Sequence, residues 1–216
     1  MYGRRLVMKI SVLVGNNPVT NESDCGQVMS LHIQTEAHNI LFDLGKDRLF
    51  LDNAAKLGID ISKVDMVVIS HGYSDHGRAL ECLFEENHKA KIYIQKETFS
   101  PYYTQLFNKL NYYYGAENGL CDYDRITFVD KYQKLDESVE LFTEPEGRRP
   151  TARMAHTVNE PWRRAEDFMH EMSMVIRENG KTYLFTGSCS KGIYREIKKS
   201  LQGHAGYIAA GGVLTV

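Results

Sequence analysis

The 216-residue sequence has no excess charge of either sign: 26 Lys and Arg stand against 28 Asp and Glu, a formal net charge of −2. A near-neutral balance removes the main argument for nonspecific binding to nucleic acid or a membrane surface. Cysteine is scarce, and Cys25, Cys82, Cys121 and Cys189 lie far apart with no CxxC pair. That pattern excludes a disulfide framework and a cysteine-rich zinc module, and fits free thiols in a reducing compartment. No stretch reaches the roughly 18 apolar residues that a membrane helix requires. The sequence also lacks GxxxxGK[ST], GxGxxG and GxSxG, so phosphate-loop, dinucleotide and nucleophile-elbow chemistry have no foothold.

Arg4 and Arg5 precede an apolar stretch at 6–15, in the manner of a signal peptide. Lys9 interrupts that stretch, however, and Asn16-Asn17-Pro18 gives a turn where a small-x-small cleavage site belongs. Met8 offers an alternative start. The expectation is a cytoplasmic protein. Its composition is ordinary for a globular chain, with 43% hydrophobic and 25% charged residues. One domain spanning 1–216 is expected.

Short apolar runs alternate with helical patterns. Strands are predicted at 6–14, 28–34, 38–42, 66–70, 90–94, 126–129 and 139–142. The second and third pair across Thr35-Glu36-Ala37. Helices are predicted at 48–57, with Asp47 at its start, Phe50, Ala54 and Leu57 on one face and Gly58 at its end, and at 77–87, with Leu80, Leu83 and Phe84 inward. Leu106 and Leu110 suggest a further helix over 102–114, unusual for its many tyrosines. Asn179-Gly180 marks a hairpin between 172–176 and 182–185. A helix at 190–201 and a last strand at 207–210 complete the pattern. The segment 145–168 carries three of the five prolines and two Arg-Arg pairs and reads as a long surface excursion. Arg148-Arg149 and Arg163-Arg164 are either solvated pairs or forks for an anionic substrate. His32, His38, His88 and His204 have no partner pattern and read as surface or packing residues.

One segment concentrates chemistry: Ser70-His71-Gly72-Tyr73-Ser74-Asp75-His76-Gly77. An apolar strand ends at Ser70, and His71, Asp75 and His76 follow within six residues. A turn between a buried strand and a helix can aim imidazoles and a carboxylate at one zinc, iron or manganese ion. The competing reading is a helix N-terminus, with Asp75 favouring the helix dipole and the histidines on the surface.

The block resembles the HxHxDH signature of the metallo-β-lactamase superfamily, and the sequence looks most like its compact metal-dependent hydrolases, the dihydropterin phosphate synthase-like branch. Asn39-Ile40-Leu41-Phe42-Asp43-Leu44-Gly45 is similar to the family's N-I-L-F-D-T-G. Residues 53–71 look like its next helix and strand. His170-Glu171 before a hairpin and Thr186-Gly187 are similar to its downstream hairpin and T-G-C-S-H turn. The resemblance covers about residues 8–213 and implies an α/β (α+β) fold, a four-layer αββα sandwich with a metal site along one edge of the two sheets. With the chain ending two residues after Leu214, it allows the C-terminal edge to be lacking.

Carried over by position, the resemblance keeps His71, Asp75 and His76 as metal ligands, with Asp75 the catalytic carboxylate. It loses three of six ligand positions, to Tyr73, Ser190 and Leu214. Zinc sites of catalytic type normally hold three protein ligands, and a phenol of pKa about 10 is a poor stand-in for imidazole. The expectation is a depleted, degenerate site holding at most one weakly bound divalent metal (Zn, Mn or Fe), with Tyr73 or Cys189 as accessory donors. Asp43 is implied as a support of the metal loop, or is a turn-starting residue. His170 and Glu171 are implied at the mouth of the site, or form a surface pair. Cys189 is an activated thiol at a helix N-terminus or a small buried residue. The implied activity is hydrolysis of an ester or phosphoester by metal-activated water. The alternative is an inactive family member that binds a small anion or a protein. A small-molecule partner, anionic in character, and a homodimer are compatible with either.

Overall fold

The computed structural model describes residues 8–15, 29–99, 103–106, 109–113, 123–143, 157–158, 168–188, 190 and 192–201, with the backbone alone at 74–75, 103–106, 109–113, 123, 157–158, 194 and 201. A six-stranded sheet is ordered β1 (Lys9–Val14), β2 (Ser30–Gln34), β3 (Asn39–Phe42), β4 (Met66–Ile69), β5 (Lys91–Gln95) and β8 (Ile126–Val129). The first three strands pair antiparallel; β3, β4, β5 and β8 run parallel. A second sheet is ordered β13 (Lys181–Thr186), β12 (Ser173–Glu178), β10 (Val139–Phe142) and β9 (Tyr132–Lys134).

Strand alternation explains the layering, because successive side chains leave a strand on opposite faces. Leu41, Val67, Ile69, Ile92 and Ile94 point one way, onto Phe50, Leu51 and Ala54 of α1 (Leu49–Lys56) and Leu80 and Leu83 of α3 (Leu80–Glu86). Ile40, Phe42, Met66, Val68 and Tyr93 point the other way, against Leu141, Met174, Ile176 and Phe185 of the second sheet. Phe142, Val175 and Leu184 leave that sheet on its far side and meet Ile197 of α4 (Ile193–Leu201). Three apolar layers therefore separate four structural layers, helix, sheet, sheet and helix. The expected αββα sandwich is the observed architecture. Its C-terminal edge and the strand expected at 207–210 lie outside the described residues.

Local signals act as their chemistry requires. Asp47 accepts from Leu49 N at 3.0 Å at the start of α1. Gly58, at φ +68°, closes it, with Ile59 N donating to Ala54 O. Leu57, expected inward, is 56% exposed, because the chain has already left the helix there; Leu51 is buried instead. Asn179 and Gly180, both at positive φ, turn the β12–β13 hairpin.

The helix expected at 102–114 is absent. The backbone forms β6 (Tyr103–Leu106) and β7 (Lys109–Tyr113), joined by β11 (Thr157–Val158) in a third small sheet. The four-residue spacing of Leu106 and Leu110 imitated a helix, but tyrosine and threonine favour strands and Asn111 does not favour helix. The antiparallel register sets Tyr103 opposite Tyr113 and Thr104 opposite Tyr112. Most of 145–168, including both Arg pairs, lies outside the described residues.

His38, expected as a surface or packing residue, bridges the two sheets. Its Nδ1 lies 3.1 Å from Asp65 and its Nε2 2.5 Å from Asp136. This clasp sits at the start of β4, the opposite end of the strand from the histidine-rich segment.

Candidate metal centre

The site grows from the C-terminal ends of two adjacent parallel strands. Asp43 directly follows β3 and Ser70 directly follows β4, so the parallel pairing of the two strands brings residues 27 positions apart side by side. Asp43 takes a left-handed backbone, φ +57°, a conformation Asp tolerates better than most residues. Its N–H continues the ladder to Val68 O at 2.9 Å. Leu44 N then donates to His76 O at 2.9 Å, which ties α2 (Ser74–Gly77) to the same turn.

Asp43 organises the buried donors. Its Oδ1 accepts from Ser70 N at 2.7 Å. Its Oδ2 accepts from Ser70 Oγ at 2.7 Å and from His76 Nδ1 at 2.8 Å. Ser70 has one hydroxyl proton, and Asp43 takes it. The 2.8 Å contact between Ser70 Oγ and His71 Nδ1 must therefore be donated by His71. Both imidazoles thus carry a proton on Nδ1, which leaves Nε2 as the nitrogen that a metal would take. This is the way metal-binding histidines are held by a carboxylate or its relay. Burial is the main cause that pushes His71 well below the usual histidine range, and the neighbouring His76 and His170 add to it. It is therefore a neutral donor. Donor atoms of Asp43, His71 and His76 all lie within 4.8 Å of one another, and all three residues are buried.

A second segment closes over this core. Met172 N donates to Ser70 O at 2.6 Å. His170 is fully buried, and its Nδ1 accepts from Gly72 N at 2.8 Å. Its ring centroid lies 6.0 Å from that of His71 and 5.0 Å from that of Tyr73, and Tyr73 meets His71 edge-on at 5.0 Å. Gly187 packs directly on the Asp43–Ser70 pair: a Cβ there would overlap Ser70 Oγ and fall 2.7 Å from Asp43 Oδ2.

The sequence-derived residues therefore divide. Asp43, His71, His76, Tyr73 and His170 form one buried cluster, with Tyr73 half-exposed at its margin. Asp43 is more than a turn residue, since both its oxygens hold the histidine segment. The surface reading of His170 and Glu171 fails, because both are buried. Glu171 Oε1 accepts from Ser188 Oγ and from Ser190 N at 3.2 Å. Ser190 Oγ contacts Ser188 Oγ at 3.2 Å, so its hydroxyl belongs to this turn network. Glu171 Oε2 is buried with no hydrogen-bond partner among the described residues. The side chain of Asp75, Cys189 and Leu214 lie outside the described residues. Ser70 and Gly187 are the participants that sequence reasoning missed. Ser70 precedes the motif, and Gly187 is required by a contact no sequence pattern reports.

No family model matches the chain, and no curated protein matches it. Solved structures do. Tm1679, a metal-dependent hydrolase of the β-lactamase superfamily, is 25% identical, with a TM-score of 0.69 over 95% of this chain and 76% of that one. The chain has the metallo-β-lactamase fold. A probable metal-dependent hydrolase from Staphylococcus aureus shares this fold at 14% identity, with a TM-score of 0.50 over 83% of this chain and 72% of that one. A metallo-β-lactamase from Cronobacter sakazakii shares it at 15% identity and a TM-score of 0.50, over 85% and 66% of the two chains. In this metallo-β-lactamase fold, the Asp43, His71 and His76 cluster is a possible metal site at the ends of β3 and β4. No helix among the described residues is long and apolar enough to cross a membrane.

Proposed function

We propose that the protein is a metal-dependent hydrolase of the compact, dihydropterin phosphate synthase-like branch, acting on ester or phosphoester substrates of small, anionic molecules. The observation that carries this reading is the matched orientation of His71 and His76, each with its Nδ1 proton turned to the Asp43–Ser70 pair. Two imidazoles that both turn Nδ1 to the Asp43–Ser70 pair, and so leave Nε2 for a ligand, suit one divalent ion of zinc, manganese or iron. His71 and His76 would hold it, with Asp75 the carboxylate carried over from the family motif. Such an ion supplies Lewis acidity, which lets water act as a nucleophile near neutral pH.

The chain's own residues do the preparatory work. Asp43 keeps the protons of both imidazoles on the far nitrogen, directly at His76 and through Ser70 at His71. Gly187 allows the 186–190 turn to seat against them. Burial of the cluster excludes bulk water and keeps His71 neutral. A cytoplasmic, nucleic-acid-independent and membrane-independent role, with a homodimer as assembly, completes the proposal.

One observation favours a second reading. Ser190 stands where the family pattern has a ligand, and its hydroxyl and N–H are engaged with Ser188 and Glu171. A site so reduced suits an inactive member that binds a small anion or a protein. Elemental analysis followed by assays with bis(p-nitrophenyl) phosphate and p-nitrophenyl acetate, with added Zn²⁺, Mn²⁺ or Fe²⁺, separates the two. Metal-dependent turnover abolished by His71→Ala supports the hydrolase. Metal uptake without turnover, together with thermal stabilisation by phosphate in metal-free protein, supports the binding module.

A further inference from the structure

The 186–190 turn repeats the wiring of the histidine core with different residues. In the core, the Asp43 carboxylate takes the Ser70 proton, and Ser70 Oγ accepts from His71. In the turn, the Glu171 carboxylate takes the Ser188 proton, and Ser188 Oγ lies 3.2 Å from Ser190 Oγ. A hydroxyl has one proton, and that of Ser188 already goes to Glu171. The contact is therefore donated by Ser190, which leaves Ser190 Oγ an acceptor. Ser190 N donates to Glu171 at 3.2 Å, so the residue is held at two points.

The two relays are pressed together. Gly187 meets Ser70 Oγ and Asp43 Oδ2, and Met172, next to Glu171, donates its N–H to Ser70 O. They differ in exposure: His71 and His76 are buried, whereas Ser188 and Ser190 are half-exposed. They also differ in charge balance. Glu171 is 4% exposed, and its partners are neutral: Ser188 Oγ and Ser190 N on Oε1 and, among the described residues, none on Oε2. A buried carboxylate met only by neutral donors keeps an uncompensated charge that favours a cation nearby.

We propose that Ser190 Oγ is a substrate-binding acceptor, taking a hydrogen bond from a protonated amine in a substrate whose anionic group is drawn to the metal cluster. The inference rests on the hydrolase reading and deepens it, since it narrows small anionic molecules to those that also carry an ammonium group. A primary ammonium brings both N–H donors and the positive charge that Glu171 lacks. A hydrogen-bond chain that ends on a carboxylate makes its outer oxygen a better acceptor than an isolated hydroxyl. The half-exposed position of Ser190 admits such a group without opening the buried core.

Phosphoethanolamine and phosphocholine test this, because both join a phosphate to a cation and only the first has N–H donors. Calorimetry on zinc-loaded protein is expected to show phosphoethanolamine binding about tenfold more tightly, the usual worth of a hydrogen bond to a charged group. The ratio is expected to fall to within about twofold in Ser190→Ala and to return in Ser190→Thr, which keeps the hydroxyl. Glu171→Gln keeps the shape and removes the charge, and is expected to weaken phosphoethanolamine more than ethyl phosphate, which has no amine. Equal binding of the two cationic ligands by wild type overturns the proposal. So does a ratio unchanged in Ser190→Ala, which would mark the bulk of the choline methyl groups as its cause. A wild type that takes no zinc sinks the hydrolase reading alone. Metal-free, ¹⁵N-labelled protein then decides for or against the subsite. Ethylammonium is expected to shift the Ser190 amide resonance and tetramethylammonium to leave it in place; equal shifts, or none, overturn the subsite.

Discussion

Gly187 sits against Ser70 so closely that no side chain fits between them. A Cβ at 187 would overlap Ser70 Oγ and press on Asp43 Oδ2, the two atoms that set the tautomers of His71 and His76. Gly187→Ala is expected to destabilise the fold by about 1–3 kcal/mol, the cost of overpacking, and to lower zinc affinity. Urea denaturation and zinc calorimetry on the same variant check both. Wild-type values would show that the turn shifts without disturbing the pair.

Asp43→Asn removes charge while keeping shape. An amide cannot accept from Ser70 N, Ser70 Oγ and His76 Nδ1 as a carboxylate does. Zinc affinity is expected to fall by about 10- to 100-fold, the range for partners that orient metal-binding histidines. Affinity equal to wild type would show that Asp43 only shapes its turn.

The clasp at the far end of β4 makes stability depend on pH. Both nitrogens of His38 face carboxylates, so the bridge is complete when the ring carries both protons. Burial opposes the charge, but hydrogen bonds to Asp136 and Asp65 outweigh it and raise His38 above its ordinary value of 6.5. Asp136 moves the other way: burial is again outweighed, here by Ser138 N, His38 and further donors, and the carboxyl falls from 3.8 to about 2. The His38 contribution is present in full below 6.5 and is lost as pH rises through its raised value. The Asp136 contribution is present above 3.8 and is lost as pH falls towards 2. The stability gap between wild type and His38→Gln is therefore expected to be widest between about pH 4 and 6.5. Urea midpoints across pH 2–9 check this, and a gap that is flat with pH contradicts it.

Gly180 turns the β12–β13 hairpin at φ +72°, with open space where a Cβ would lie. Gly180→Ala is expected to cost about 1 kcal/mol through backbone strain alone, without changing metal affinity. Equal urea midpoints for variant and wild type would contradict that.

Much of the sandwich was legible because its signals are local. The Met-Val-Val-Ile run is buried on both faces, Asn179-Gly180 needs no distant partner, and Asp47 and Gly58 bracket α1 by their own chemistry. Leu106 and Leu110 misled, because helical spacing cannot be told from chance where cross-strand pairing decides. The histidine motif named His71 and His76, but the lock between them is long-range. Asp43 reaches Ser70 across 27 residues and His170 reaches Gly72 across 98. Nor could spacing show that His170 Nδ1 accepts from Gly72 N.

The account's central claim is that His71 and His76 jointly grip one divalent ion, and zinc titration of the purified, chelator-treated protein tests it most directly. About one equivalent is expected to bind to wild type, with affinity falling by about a hundredfold or more in His71→Ala and in His76→Ala. Zinc uptake below about a tenth of an equivalent by wild type, or affinities unmoved by either substitution, would contradict it.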